Sequence, residues 1–525
     1  MRQGIDKYIA GGADKVDWTY RTLEWLITAF AGTLVFIVFL MQVYRIPTGS
    51  MAETLRGAHF RLRCSQCGYR YDFDWRPDAY RYPADYVPRM DLLVRPGPPR
   101  CPSCGFYESE ERGLDGRLYI EQAGRLVPAM GRPVCKGDQI FVLKCIYQFF
   151  EPKRWDVVVF KFPGEPKINY IKRLIGLPGE TVEIIDGDIF INGQIERKSR
   201  RVQEELWMCV YDNDYQPARP EQKRFNGHSW RQPFENEDGS AWNLSADGPT
   251  VFALNADDGR EHTLVYNSSL GNDFRATYAY DDPASYPRMP VCSDLQVRFF
   301  ADMPRDKQRR CSVGAQISKY GVDYQGWVYN DGQMDIFRVK DGQKELLVHG
   351  GRLSESSCQF RFSVVDHEAV LEYAGGEIRY DFGRGVNDMG GLRGFEPQVR
   401  ILGTGDIRLL HIGLYRDMHY IGPEDANVHR PTDGKGFVLG KDEFFVCGDN
   451  SPYSADSRMW KTEGIGNNGK TYPPGVVPWD YLVGKAFFVH LPGLWPFEYE
   501  KARIIPFLDG APSPDGVKVI FGGSR

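Results

Sequence analysis

Tyr170-Ile171-Lys172-Arg173-Leu174-Ile175-Gly176-Leu177-Pro178-Gly179-Glu180 sets a lysine among apolar residues and then turns the chain at a Pro-Gly step. Just before it, Asp156-Val157-Val158-Val159-Phe160 is a β-branched apolar run of strand length. Just after it, residues 182–191 hold two short strands around Asp186-Gly187-Asp188, a hairpin signal, and Asn192-Gly193 offers a further tight turn. These segments make this part of the chain a β body. Lys172 is either a surface lysine on a strand or a buried amine. A free lysine titrates near pH ~10.4, and apolar burial lowers that by several units, toward a usable base.

Outward from there, 525 residues exceed one hydrophobic core, so two to four domains are expected. The 56 Gly and 34 Pro point to many turns and a mainly β chain rather than a helix bundle. A net charge of -5 over this length gives no sign of nucleic-acid binding.

Residues 25–44 carry no charged side chain, with Trp25 and Tyr44 at the ends and Arg45 stopping the run. About 20 helical residues cross a hydrocarbon core, so a transmembrane helix over 25–44 is expected, after a polar N-terminal tail over 1–24. Arg2, Lys7, Lys15 and Arg21 precede the run and Arg45, Arg56, Arg61 and Arg63 follow it, so charge does not settle orientation. Ser50 stands six residues beyond the run, in Ile46-Pro47-Thr48-Gly49-Ser50-Met51.

The strand texture of the β body is interrupted twice. Residues 58–134 form a small module with Cys64-Ser65-Gln66-Cys67 and Cys101-Pro102-Ser103-Cys104. Two C-x2-C pairs suit a zinc-ribbon-like site in which Cys64, Cys67, Cys101 and Cys104 hold a structural zinc. Two disulfides are the rival if the body faces an oxidising compartment. The other seven cysteines are scattered singly, which favours the metal. Residues 200–430 read as short alternating strands between Gly turns, including 359–364, 369–373, 377–382, 399–402 and 407–415. This predicts an inserted jelly-roll or concanavalin-like β-sandwich, a cap over the groove or a module for a carbohydrate or protein partner. The body is thereby assigned to 45–57, 135–199 and 431–525. The aromatic stretch Leu494-Trp495-Pro496-Phe497 is a candidate for bilayer contact or core packing.

A serine hydroxyl needs a partner to take its proton. The chain has nine His, none in a stretch like a triad motif, which leaves a neutral lysine. At this point an ordered set of boxes resembles the bacterial type I signal peptidases (leader peptidases). The boxes are Pro47-Thr48-Gly49-Ser50-Met51, Gly137-Asp138, the 156–160 strand, the 170–180 stretch, Gly448-Asp449-Asn450-Ser451 and Ser454-Ala455-Asp456-Ser457-Arg458.

The resemblance implies a membrane-bound serine endopeptidase that removes N-terminal signal peptides from exported preproteins. In it Ser50 would be the nucleophile and Lys172 the general base, with Ser454 orienting the lysine and no catalytic cofactor. Thr48 and the Ser50 N–H would form the oxyanion hole. Met51, Tyr170 and Ile171 would line small substrate pockets. Arg173 would pair with Asp449, and Asp456 with Arg458, as structural support. The family places its body on the extracytoplasmic side of the cytoplasmic membrane, which implies a single-pass protein working on preproteins at a lipid bilayer. This chain departs from the family at Glu53, where proline is usual, and at Glu180, where aspartate is usual. The cysteine module also separates the serine box from Gly137-Asp138. The alternative is a non-catalytic membrane-anchored binding or scaffold protein with a retired peptidase body.

Overall fold

The computed structural model describes residues 2–35 and 39–490, apart from 84–85, 87–92, 108–109, 113–117, 123–124, 129–130, 223, 226, 305–310, 352–356, 391–392, 423–430 and 468. The chain is mainly β. Residues 494–497, singled out above, lie outside the described residues.

The first element is a helix, Arg2–Val35, so the polar tail is helical rather than a separate piece. The expected membrane-crossing helix over 25–44 is corrected. Its last residues belong to a strand, Met41–Arg45, which pairs antiparallel with Gln139–Leu143 from Met41 opposite Leu143 to Arg45 opposite Gln139. Pairing satisfies the backbone groups of 41–45 in a sheet, so they are not available to a helix. The helical part, 25–35, rises only about 16 Å at 1.5 Å per residue, short of a core of about 30 Å. No helix among the described residues is long and apolar enough to cross a membrane.

The central sheet is antiparallel, in the order Met41–Arg45, Gln139–Leu143, Leu482–His490, Val157–Phe162, Glu165–Gly176, Glu443–Cys447, Val477–Pro478. Side chains alternate across a strand, and Val157–Phe162 shows it. Val157 and Val159 pack with Ile46, Met51, Leu55, Ile140 and Val142, whereas Val158 and Phe160 pack with Leu174, Phe444, Val446 and Trp460. Two covered faces explain a continuous apolar run with no polar alternation. The strand Leu482–His490 lies between Gln139–Leu143 and Val157–Phe162 and so joins the two halves of the sheet.

Beside it sits a smaller sheet, built on the hairpin Thr181–Ile185 and Asp188–Ile191 and extended by Gln194–Ile195 and Phe437–Val438. Its turn puts Asp186 at φ 50° and Gly187 at φ 85°, the left-handed pair that a two-residue hairpin of this type requires.

Residues 208–416 build a 13-stranded sheet. The sequence suggested separate strands at 399–402 and 407–415; the structure has one, Val399–Arg416. The Gly403-Thr404-Gly405 stretch that read as a break is a bend, with Gly405 at φ 82°. Before the bend the strand pairs with Ser312–Lys319 and His262–Tyr266. After it, the partners are Phe252–Ala256, Leu295–Asp302 and Met208–Asp212. One strand therefore serves both wings, and a single core including Phe299, Phe360, Phe362, Ile336 and Ile401 fills the space between them.

The cysteine module has its own sheet, Arg70–Asp74, His59–Arg63, Arg132–Cys135 and Leu93–Val94, with a core of Phe60, Phe73, Trp75 and the cysteines.

Candidate active site

Ser50 lies on a one-turn 3-10 helix, Gly49–Met51. Three close approaches fix this loop. Ile46 N donates to Asp138 O at 2.9 Å, Asp138 N donates to Arg56 O at 2.9 Å, and Arg56 N donates to the Asp138 carboxylate at 2.9 Å. Gly137 sits so near that a Cβ there would lie 1.9 Å from Ile46 O, and a Cβ at Gly57 would lie 2.4 Å from the Thr48 carbonyl carbon. The Gly137-Asp138 box thus clamps the serine loop although residues 58–136, including the cysteine module, intervene between Gly57 and Gly137. Thr48 is exposed at the start of the turn and makes no capping bond.

Lys172 stands opposite Val158 in the central sheet. Its Nζ donates to Ser50 Oγ at 2.6 Å. The side chain is 4% exposed. Burial lowers its pKa to about 8 from 10.5, Arg458 adds to the lowering, and Asp456 and Asp449 oppose it. Those two carboxylates are already engaged by arginines. Arg173 forms a fork with Asp449, 2.7 Å from Nε to Oδ1 and 2.6 Å from Nη2 to Oδ2, with both side chains fully buried. Arg458 grips Asp456 through Nε at 2.9 Å and Nη2 at 2.6 Å, and also bonds Ser451 Oγ at 2.6 Å. A buried amine left without a dedicated counter-charge is what depresses a lysine, and a neutral amine against a hydroxyl is the arrangement that activates a serine.

Ser454 is buried beside the pair. Its Oγ forms no well-made hydrogen bond, though it lies near enough to Asp456 to help keep that carboxylate ionised. Gly448 opens the space: a Cβ there would lie 2.2 Å from Ser454 Oγ and 2.4 Å from Ser50 O. Asn450, quoted in the sequence boxes but given no role, donates its N–H to Ser50 O at 3.1 Å and begins the turn that leads to Ser454.

Of the three candidate pocket residues, Met51 is fully buried in the core, whereas Tyr170 and Ile171 are half-buried. Tyr170 stacks on Phe162 at 4.5 Å and 8°. The strand Glu165–Gly176 meets Glu443–Cys447 only from Arg173 onward, so the edge before Lys172 carries no partner strand among the described residues. Glu180, the departure from aspartate, accepts from Arg154 at 2.6 and 2.8 Å and from Leu177 N at 2.7 Å; the longer carboxylate still ties the turn after Lys172.

In the cysteine module, Cys64, Cys67, Cys101 and Cys104 bring four sulfurs within 4.8 Å of one another, and none is in a disulfide. Cys64 and Cys104 are 3.7 Å apart and Cys67 and Cys101 3.6 Å. A tetrahedral zinc with bonds of about 2.3 Å needs sulfur–sulfur edges of about 3.8 Å. Gly68 and Gly105, at φ 78° and 74°, close the two turns, each donating back to the first cysteine's carbonyl. The four residues fit a structural zinc. His59 is buried with Nδ1 on Gly57 O at 2.8 Å and is no part of the cluster.

With this geometry in hand, comparison with known proteins is informative. The family described as "Signal peptidase, peptidase S26" matches residues 118–238 and 418–491, so these segments are similar to that family. The matched segments hold Lys172, Asp449 and Ser454; Ser50 lies before them. Similar proteins include signal peptidase I of Aquifex aeolicus, 46% identical over 68 residues, which are 13% of this chain and 27% of that one. Signal peptidase I of Pseudomonas aeruginosa is 50% identical over 46 residues, 9% and 16% of the two chains. That of Rickettsia typhi is 54% identical over 48 residues, 9% and 18%. The chain thus matches about a quarter or less of the length of these relatives. Among solved structures, a carbohydrate binding module from Bacillus subtilis is 8% identical with a TM-score of 0.23, covering 35% of this chain and 95% of its own. At that TM-score the likeness carries no argument about fold or ligand.

Proposed function

We propose that this protein is a serine endopeptidase that removes N-terminal signal peptides from exported preproteins. One observation carries the reading: Lys172, a buried lysine of lowered pKa in a segment that matches signal peptidases, lies 2.6 Å from Ser50 Oγ. Ser50 attacks the scissile carbonyl while neutral Lys172 accepts its proton. The Ser50 N–H and the Thr48 hydroxyl face the developing oxyanion, a role in which one donor is worth about 3–4 kcal/mol. Ser454 holds the amine toward the serine. Lys172 then protonates the leaving amine, and water, deprotonated by the same lysine, releases the acyl group. The unpaired edge at 165–171 suits an extended peptide laid antiparallel beside Lys172. Tyr170 and Ile171 line the small pockets, and Met51 forms a floor beneath them.

The body works at the cytoplasmic membrane. Supporting this, the first helix exposes Trp18, Tyr20, Trp25, Leu26, Ile27 and Phe30, a surface that water does not favour. The cysteine module carries one structural zinc, and the sheet of 208–416 is the inserted sandwich. Metal analysis of the purified chain is expected to give one zinc per molecule; absence of zinc together with loss of titratable thiols would replace it with disulfides.

The deciding experiment is cleavage of a preprotein with a small-x-small site by the wild type, Ser50→Ala and Lys172→Ala. Full activity in either variant removes the dyad. No cleavage by the wild type would favour a retired peptidase body.

A further inference from the structure

Two residues after Tyr278, at Tyr280, the large inserted module touches the nucleophile loop. Tyr280 is fully buried. Its ring packs against Gly49, so close that a Cβ at Gly49 would be 2.1 Å from Tyr280 Cε1. Its hydroxyl donates to Ala58 O at 3.1 Å, and its carbonyl accepts from Asp74 N at 2.9 Å. One residue therefore binds both ends of the serine loop through its side chain and a strand of the cysteine module through its carbonyl. The next residue, Asp281, is buried and accepts from Asn450 Nδ2 at 2.7 Å. Asn450 in turn donates its N–H to Ser50 O at 3.1 Å.

We propose that residues 280 and 281 of the inserted module are positioning residues for the nucleophile: Tyr280 is the seat under Gly49, and Asp281 acts through Asn450 to hold the Ser50 main chain in reach of Lys172. The insertion is then a working part of the catalytic site rather than an appended cap. This rests on the peptidase reading above. The physical need is clear, because a nucleophile misplaced by about 1 Å costs on the order of a hundredfold in rate. The 3-10 helix is a single turn, closed by Ala52 N–H on Gly49 O, and has no side-chain cap at Thr48. Burial holds the Asp281 carboxyl well above the usual carboxylate range, with the Asn450 hydrogen bond opposing. A neutral acid accepting one hydrogen bond is closely mimicked by an amide, so Asp281→Asn can rescue what Asp281→Ala loses.

The test uses the full-length protein and two readouts. The first is kcat and KM on a preprotein; the second, independent of activity, is hydrogen–deuterium exchange of amides 47–55. Tyr280→Ala and Asp281→Ala are expected to lower kcat at least about tenfold with KM within about twofold, and to speed exchange at 47–55 while the sheet of 208–416 stays protected. Tyr280→Phe keeps the ring, and Asp281→Asn keeps the acceptor; both are expected to recover most of kcat. Should Tyr280→Ala not fold, Asp281→Ala against Asp281→Asn carries the same comparison. Unchanged kcat and unchanged exchange in folded Asp281→Ala would overturn the proposal, as would Asp281→Asn losing as much as Asp281→Ala. Faster exchange in a protein whose wild type cleaves nothing would keep the seat and remove the peptidase reading.

Discussion

Lys172 and Lys198 are both nearly inaccessible to water, and their amines move in opposite directions. Lys172 falls to about 8. Lys198 rises above its ordinary value because Asp366 and Asp417 lie 2.5 and 2.9 Å away. Lys319 behaves like Lys198, held by Asp294 and near Asp188 at 3.8 Å. The two sites have equal burial and comparable numbers of neighbouring carboxylates. The difference lies in who already owns the carboxylates. Around Lys172, Arg173 and Arg458 take Asp449 and Asp456, whereas at the junction between the hairpin and the large sheet the lysines take the aspartates themselves. A reactive lysine is made by pairing its neighbours with someone else.

The largest way to break this comparison is to remove the reactive pair. Ser50→Ala and Lys172→Ala are each expected to lower kcat about a thousandfold or more in a preprotein cleavage assay, while Lys198→Ala leaves the dyad chemistry in any molecule that folds. The reverse holds for stability. Lys198→Ala strands Asp366 and Asp417 and should cost about 3–5 kcal/mol in denaturant unfolding. Lys172→Met, by contrast, should be stabilising by about 1–3 kcal/mol at pH 7, because a lysine with a depressed folded-state pKa binds its proton more weakly folded than unfolded. For Lys172 the unfolded chain holds the extra proton between pH 8 and 10.5, so its contribution to stability improves as pH rises through that window. A loss of stability in Lys172→Met would contradict the depressed amine.

The pH profile sharpens the contrast further. Rate should fall about tenfold per pH unit below about 8, as Lys172 takes up a proton. The smallest effect is the most discriminating. Arg458→Met removes a cation that lowers Lys172 and frees Asp456 to pair with it, so the acid limb should move to higher pH by about one unit. An unmoved limb in folded Arg458→Met would mean that desolvation alone sets the base.

Much of the site was legible because it is written in short local strings. The strand read at 156–160 and found at Val157–Phe162, the hairpin at Asp186-Gly187 and Lys172 in its apolar run are readable from residue type and order, while the pairing of Arg173 with Asp449 and of Asp456 with Arg458 came from the family resemblance. The N-terminal span was not. Uncharged residues at 41–45 satisfy a helical hydropathy reading, yet their backbone finds a partner strand about 100 residues away, and hydropathy holds no information on pairing. Likewise Gly403-Thr404-Gly405 signals a break by composition, while the neighbouring strands on both wings keep it one strand with a bend. Tyr280 and Asp281 left no local signal at all. Their role depends on meeting Gly49 and Asn450, more than 160 residues away in either direction, and only the fold supplies that meeting.

The position of Leu482–His490 has a consequence in time. Ser50 leaves the ribosome early and Lys172 soon after, but the strand that leads to the Ser50 turn and the strand that carries Lys172 lie in half-sheets that this late strand joins. Pairing of such long sequence separation forms slowly and late, and strand Glu443–Cys447, which leads into Asp449 and Ser454, is also late. A growing chain therefore carries both reactive groups through most of its synthesis without the frame that aligns them. The alignment of Ser50 with Lys172 is therefore a late event, set by when the closing strands are made rather than by when the two residues are.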